Sequence, residues 1–129
     1  MLICFLETSK FYYQVNMEIK QLKFVTKSLD EAKAEELKVF QCKDDYSFKY
    51  VVIAMCNSAK HASACCNRVA AEMKKIEGIE VAITDTSFEP WSTINLGDSI
   101  VHLLSPDANE KYRLEQLMAE MGHVEITLS

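Results

Sequence analysis

His61 and Cys65 have the greatest chemical reach in this chain. They lie four apart in a stretch of helical periodicity, so imidazole and thiol share one face and could touch. A thiolate served by an imidazole is a nucleophile. Cys65, however, falls in the apolar stripe of that helix, where burial keeps a thiol neutral, and the pair reads as packing before catalysis. Cys66 adjoins Cys65 but points about 100° away around the helix, so these two thiols cannot close on one metal. His102 sits inside an apolar run without Cys or His at ligand spacing and reads as a hydrogen-bonded structural histidine. Asp44-Asp45, Asp85 and Asp98 raise the question of a two-metal nucleotidyl-transfer site, which needs a D-x-D pair on one strand face. No D-x-D occurs, and Asp44-Asp45 reads as a solvated turn. Asn57-Ser58-Ala59-Lys60 lacks the glycines of a phosphate-cradling loop; Ser58 reads as a helix cap and Lys60 as a surface charge. No reaction is prescribed, and the expectation is a non-enzyme with no cofactor and no metal.

The elements that must position these residues follow from periodicity. Ile19, Leu22, Val25, Leu29 and Ala32 form one stripe of an amphipathic helix over about Glu18 to Glu36, followed by a short strand at Leu37–Phe40. Tyr50–Met55 is an almost unbroken apolar run, the mark of a strand covered on both faces. Ser58 caps a second helix whose stripe is Ala62, Cys65, Val69, Met73 and Ile76, and Gly78 stops it. Val81–Ile83 is a strand, and Trp91–Leu96 and Ser99–Leu104 form a hairpin across Gly97-Asp98. Ser105-Pro106-Asp107 opens a third helix to about Met121, in which Leu114, Leu117, Met118 and Met121 make a core stripe. Val124–Ser129 is a tail or a short added strand. This order predicts an α/β fold with three helices and a mixed sheet of about five strands.

A two-residue turn fixes the hairpin register and so its faces. Ile94, Leu96, Val101 and Leu103 form an aliphatic face suited to helix packing. Trp91, Thr93, Asn95, Ile100, His102 and Leu104 form the other, a large aromatic among polar groups, which is the composition of an interface anchor. The competing account is that Trp91 covers the sheet edge under a loop.

The 129 residues carry 14 Lys and Arg against 19 Asp and Glu, a net charge of −5, which disfavours direct nucleic-acid binding through counterion release and suits a basic protein partner. Residues 50–129 carry that excess of acid. Five cysteines without a C-x-x-C pair point to a reducing compartment. Residues 1–16 match neither a secretory nor a mitochondrial leader and read as an extension, or an upstream start, before a single domain at 17–122 and a tail at 123–129. Phe11, Tyr12 and Tyr13 could instead form an edge strand.

With these residues assembled, the chain resembles the Iojap family, whose bacterial members are ribosomal silencing factors, over about Leu29 to Leu117. Leu29–Leu37 is similar to the family's D-x-K-A-E-D-I opening, Tyr50–Ala54 to its D-Y-F-V-I-A strand, and Asn57–His61 to its R-S-S-R-H turn. The most specific stretch runs from Trp91 through Gly97-Asp98 to His102, then Pro106-Asp107-Ala108, Tyr112 and Leu114-Glu115. It resembles W-x-x-x-D-x-G-D-x-x-V-H-x-x-x-P-E-A-R-x-x-Y-x-L-E without a gap. The resemblance implies a nucleotidyltransferase-like fold without catalytic carboxylates. It also implies binding to the large ribosomal subunit, through its protein numbered fourteen, so that the small subunit cannot join and translation is repressed. Organellar relatives assist large-subunit assembly, so the alternative functions are an organellar large-subunit assembly factor or a degenerate nucleotidyltransferase-like enzyme. By position, Trp91, Gly97, Asp98, His102 and Glu115 match the pattern. With Leu104 from the hairpin face, the expected partner-binding set is Trp91, Asp98, His102, Leu104 and Glu115. A cytoplasmic setting is expected, with an organelle or a homodimer as alternatives. Lys49, Cys56, Asn95 and Asn109 depart from the family's Asp, Gly, Asp and Arg, and Lys49 and Asn95 remove negative charge toward a basic partner.

Overall fold

The computed structural model describes residues 19–85 and 91–128 of the chain; the proposed N-terminal extension lies outside them. The first described helix, α1, occupies residues 19–31. It is followed by β1 (Glu35–Gln41), β2 (Tyr50–Met55), α2 (Ala59–Glu77), β3 (Ala82–Asp85), β4 (Trp91–Asn95) and β5 (Ser99–Leu104). Two short helices, α3 (Pro106–Tyr112) and α4 (Leu114–Glu120), precede a last strand, β6 (Val124–Ile126).

The sheet runs β3-β4-β5-β2-β1-β6, with β2 and β5 parallel and the other neighbours antiparallel. The mixed α/β architecture is as expected, with six strands among the described residues instead of about five. The sixth is β6, which pairs with β1 through Val39↔Ile126, so the C-terminal segment is the added strand and not a free tail. As its apolar run requires, β2 lies inside the sheet, and Tyr50–Ala54 are all buried.

Local chemistry accounts for most boundaries. The Ser58 hydroxyl accepts the His61 N–H at 3.1 Å, and Gly78 turns left-handed at φ 66 to end α2. The Ser105 hydroxyl accepts the Ala108 N–H at 3.1 Å, with Pro106 and Asp107 in the first turn of α3. Two boundaries differ from the sequence reading for one shared reason, a left-handed residue that is not glycine. Lys33, at φ 71, stops α1 five residues before Glu36, with the Ala34 N–H bonded to the Leu29 carbonyl at 2.9 Å. Arg113, at φ 47, splits the expected third helix into α3 and α4. The split also divides the supposed core stripe: Leu114 and Met118 are buried, whereas Leu117 and Met121 are 44% and 38% exposed.

Strand alternation sends side chains into two cores. On one face Val52, Ala54, Ile94, Val101 and Leu103 meet Leu22, Val25 and Leu29 of α1 and Ala62, Cys65, Val69 and Met73 of α2. On the other, Phe40, Val51, Ile53 and Leu104 meet Ala108, Leu114 and Met118 of α3 and α4. The second core has fewer members and reaches Trp91 and Ile100 only as partly buried neighbours.

Candidate functional site

The hairpin has the register its two-residue turn dictates: Trp91 pairs with Leu104, Thr93 with His102 and Asn95 with Ile100. The Leu96 N–H closes the turn on the Ser99 carbonyl at 2.8 Å, and Gly97 takes φ 95, which a side chain would resist. Asn95 Oδ1 accepts the Gly97 N–H at 2.8 Å, so this amide supplies the turn-forming acceptor without carrying a charge.

Trp91 heads an aromatic cluster on the less covered face. Its indole N–H donates to His102 Nδ1 at 3.1 Å, and its ring lies 5.8 Å from that of His102 and 5.0 Å from that of Tyr112 in α3. Lys111 Nζ stands 5.3 Å from the centre of the Tyr112 ring. Because Nδ1 accepts, the neutral His102 ring carries its proton on Nε2. Burial pushes its pKa down to about 4, so it stays uncharged at neutral pH. The structural role expected of His102 and its place on the hairpin face it shares with Trp91 are therefore compatible: the imidazole fixes the indole.

From Trp91 the face continues through half-buried Thr93 and Ile100 to exposed Asn95, and it ends at exposed Asp98. Asp98 lies about 20 Å along the strand from the Trp91 end. Its carbonyl accepts the Lys49 N–H at 2.7 Å, which ties the turn to the loop before β2. The structure thus brings Trp91 and His102 together and places Asp98 at the far end of the same strip. Leu104, the cross-strand neighbour of Trp91, is fully buried in the core under α3 and α4 and offers no surface of its own. Glu115 stands apart, in the first turn of α4, bonded to Lys38 Nζ of β1 at 2.8 Å. That carboxylate raises the Lys38 pKa above its ordinary value.

Tyr112 completes the cluster, and strand register could not reveal it. Its distance from Trp91 is set by the way α3 folds back over β5. The only sequence signal for it was its match to the Tyr in the family pattern.

The remaining candidates are scattered. Asp44 and Asp45 are exposed in a turn, and Asp85 accepts a 2.5 Å bond from the Ser92 hydroxyl at the β3–β4 edge. A concavity of about 390 Å³ is lined by Thr26, Leu37, Lys38, Glu125 and Leu128, among others, with neither thiol nor imidazole in its wall. One grouping of His, Cys and carboxylate donors converges among the described residues: Cys56, His61 and Cys65, with donor atoms within 4.8 Å of one another. Burial raises the Cys65 pKa and pushes that of Cys56 to about 12, so both thiols are neutral as they stand. A neutral, buried Cys65 is a poor nucleophile.

Comparison with known proteins agrees with this architecture. Residues 16–128 match the model of a family described as ribosomal silencing factor during starvation, RsfS. A ribosomal silencing factor from Zymomonas mobilis is 31% identical over 97 residues, covering 74% of this chain and 73% of that protein. One from Halalkalibacterium halodurans is 30% identical over 116 residues, covering 86% and 94%. A Bacillus halodurans crystal structure superposes with a TM-score of 0.70 at 24% identity over 84% of this chain and 98% of that one, and a Chromobacterium violaceum structure gives 0.69 at 22%, over 76% and 82%. These two matches establish a shared fold. With the family pattern running through both helical layers and every described strand, the chain belongs to the RsfS family of ribosomal silencing factors.

Proposed function

We propose that this protein represses translation by docking on the large ribosomal subunit, through the subunit's protein numbered fourteen, and so excluding the small subunit. It acts by occupying a surface and transforms no substrate. The name borne by its relatives supports a role in silencing. The observation that carries the docking reading is the Trp91–His102–Tyr112 cluster. It is an indole held in place by an internal hydrogen bond and flanked by a tyrosine that is 42% exposed, on the face that α3 and α4 only partly cover. A preset aromatic loses little side-chain freedom when a partner covers it, which is what makes Trp and Tyr effective anchors.

Asp98 at the end of the strip and the net charge of −5 provide complementarity to a basic ribosomal protein, mainly in encounter rate. Lys49 and Asn95 reduce that field beside the turn, so docking here depends less on salt than in a relative carrying the two acids. Glu115 contributes at the margin, since Lys38 already engages it. A cytoplasmic setting suits the activity, and no described helix is long and apolar enough to cross a membrane.

Co-sedimentation with purified large subunits tests the proposal. Trp91→Ala should weaken association by about 2 kcal/mol or more, roughly thirtyfold, while remaining folded by circular dichroism. Unchanged co-sedimentation of the folded variant removes Trp91 from the interface.

A further inference from the structure

Cys56 lies just past β2, on the way into the cap of α2, and its N–H is held by the Leu104 carbonyl at 2.9 Å. His61 and Cys65 follow on one face of the first turns of α2. The turn folds the three together, with Cys56 Sγ 3.7 Å from Cys65 Sγ. Two thiolates on a tetrahedral Zn²⁺, each about 2.3 Å from the ion, stand about 3.7–3.8 Å apart. The sulfurs are therefore already at the separation such an ion demands.

We propose that Cys56, His61 and Cys65 form a binding site for a soft divalent cation, with Zn²⁺ as its natural occupant. His61 is oriented as ligand histidines are: Nε2 lies 2.7 Å from the Ala32 carbonyl and Nδ1 accepts the Asn57 N–H at 3.1 Å. Nδ1, the unprotonated nitrogen, would bind the ion in place of the Asn57 N–H, while Nε2 keeps its proton on the Ala32 carbonyl and holds the ring in orientation. Half-buried His61 is the solvent side of the site and admits a water as fourth ligand, whereas both sulfurs are buried. Binding releases the two thiol protons to solvent and leaves two thiolates on the ion. The cation's own charge offsets the burial that keeps the free thiols neutral.

The ion would fasten the end of β2 to the start of α2, and the His61–Ala32 bond carries that connection to the turn after α1. None of the three residues belongs to the Trp91–His102–Tyr112 cluster, so the site stands independently of ribosome docking.

The test is titration of the full chain, kept reduced by a phosphine, with Zn²⁺ against a chromophoric chelator and with Co²⁺ followed by absorption. The expected result is one ion per chain, thiolate-to-cobalt charge-transfer absorption with tetrahedral visible bands, and a higher melting temperature in Zn²⁺. Cys56→Gly and His61→Gln should each lower Zn²⁺ affinity by at least about tenfold, whereas Cys66→Ala, on another side of the helix, should not. An octahedral Co²⁺ spectrum without charge transfer in the unaltered protein overturns the proposal, and it does so whether or not a variant folds. So does equal loss in Cys66→Ala, or Zn²⁺ affinity unchanged in folded His61→Gln.

Discussion

The two faces of the sheet are built from the same strands and finished differently. The face under α1 and α2 is closed by nineteen residues of continuous α2 helix and by fully buried Leu22, Val25, Leu29, Val69 and Met73. The face under α3 and α4 is roofed by two helices of seven residues each, and β3 is exposed throughout. Short helices cover Phe40, Val51, Ile53 and Leu104 on this face, while Trp91, Thr93, Ile100 and His102 on β4 and β5 stay half-buried. Alternation along a strand lets one sequence serve both ends: Val101 and Leu103 secure the fold while Ile100 and His102, alternating with them, face the other way. The residues that hold the fold and those proposed to dock are thereby separated by 180° of side-chain direction.

Substitutions on opposite faces should separate the two properties. Leu103→Ala removes a fully buried side chain from the closed face and should destabilise the protein by about 2–5 kcal/mol in urea unfolding, with ribosome affinity unchanged for the molecules that remain folded. Equal loss of affinity per folded molecule would break the division. Trp91→Ala should show the reverse balance, with the docking loss given above exceeding its effect on the urea midpoint.

His102 gives the open face a pH signature. Its pKa near 4, against an ordinary 6.5, means the unfolded chain takes up a proton that the folded chain refuses. Its contribution to stability is complete above pH 6.5 and falls as the pH drops from there to 4, by on the order of 2 kcal/mol. Protonation also removes the acceptor for the Trp91 N–H, so tryptophan fluorescence should change over the same interval. His102→Gln should flatten both curves. The smallest effect belongs to Glu115→Gln: the partner side chain of Lys38 is 42% exposed, and loss of the pair should cost less than about 1 kcal/mol in unfolding and little in docking.

Much of this was legible beforehand where a single local rule governed the outcome. The caps at Ser58 and Ser105, the stop at Gly78, the hairpin register and the central place of β2 each follow from one residue type or one period. The boundaries at Lys33 and Arg113 were not legible, because the chain turns left-handed there without glycine or asparagine to announce it. The expected site was only partly visible for a related reason. Register along the hairpin relates Trp91 to His102, but it says nothing about Tyr112, whose place depends on a helix folding back over the sheet. It likewise could not show that Lys38, far away in sequence, would take up Glu115. The convergence of Cys56 on His61 and Cys65 needs the path of the β2–α2 turn, although the i,i+4 relation of the last two was plain.

Arg113 has one further effect. It serves at once as the C-cap of α3 and the N-cap of α4, at φ 47, with no side-chain cap for α4. Helices of seven residues do not persist in water unaided. Both must therefore form against the sheet and be released from it together, and their amide hydrogens should exchange well before those of α2. A partner bound against Tyr112, as proposed, would slow that exchange, so the roof beside the Trp91 strip would report occupancy through its own breathing.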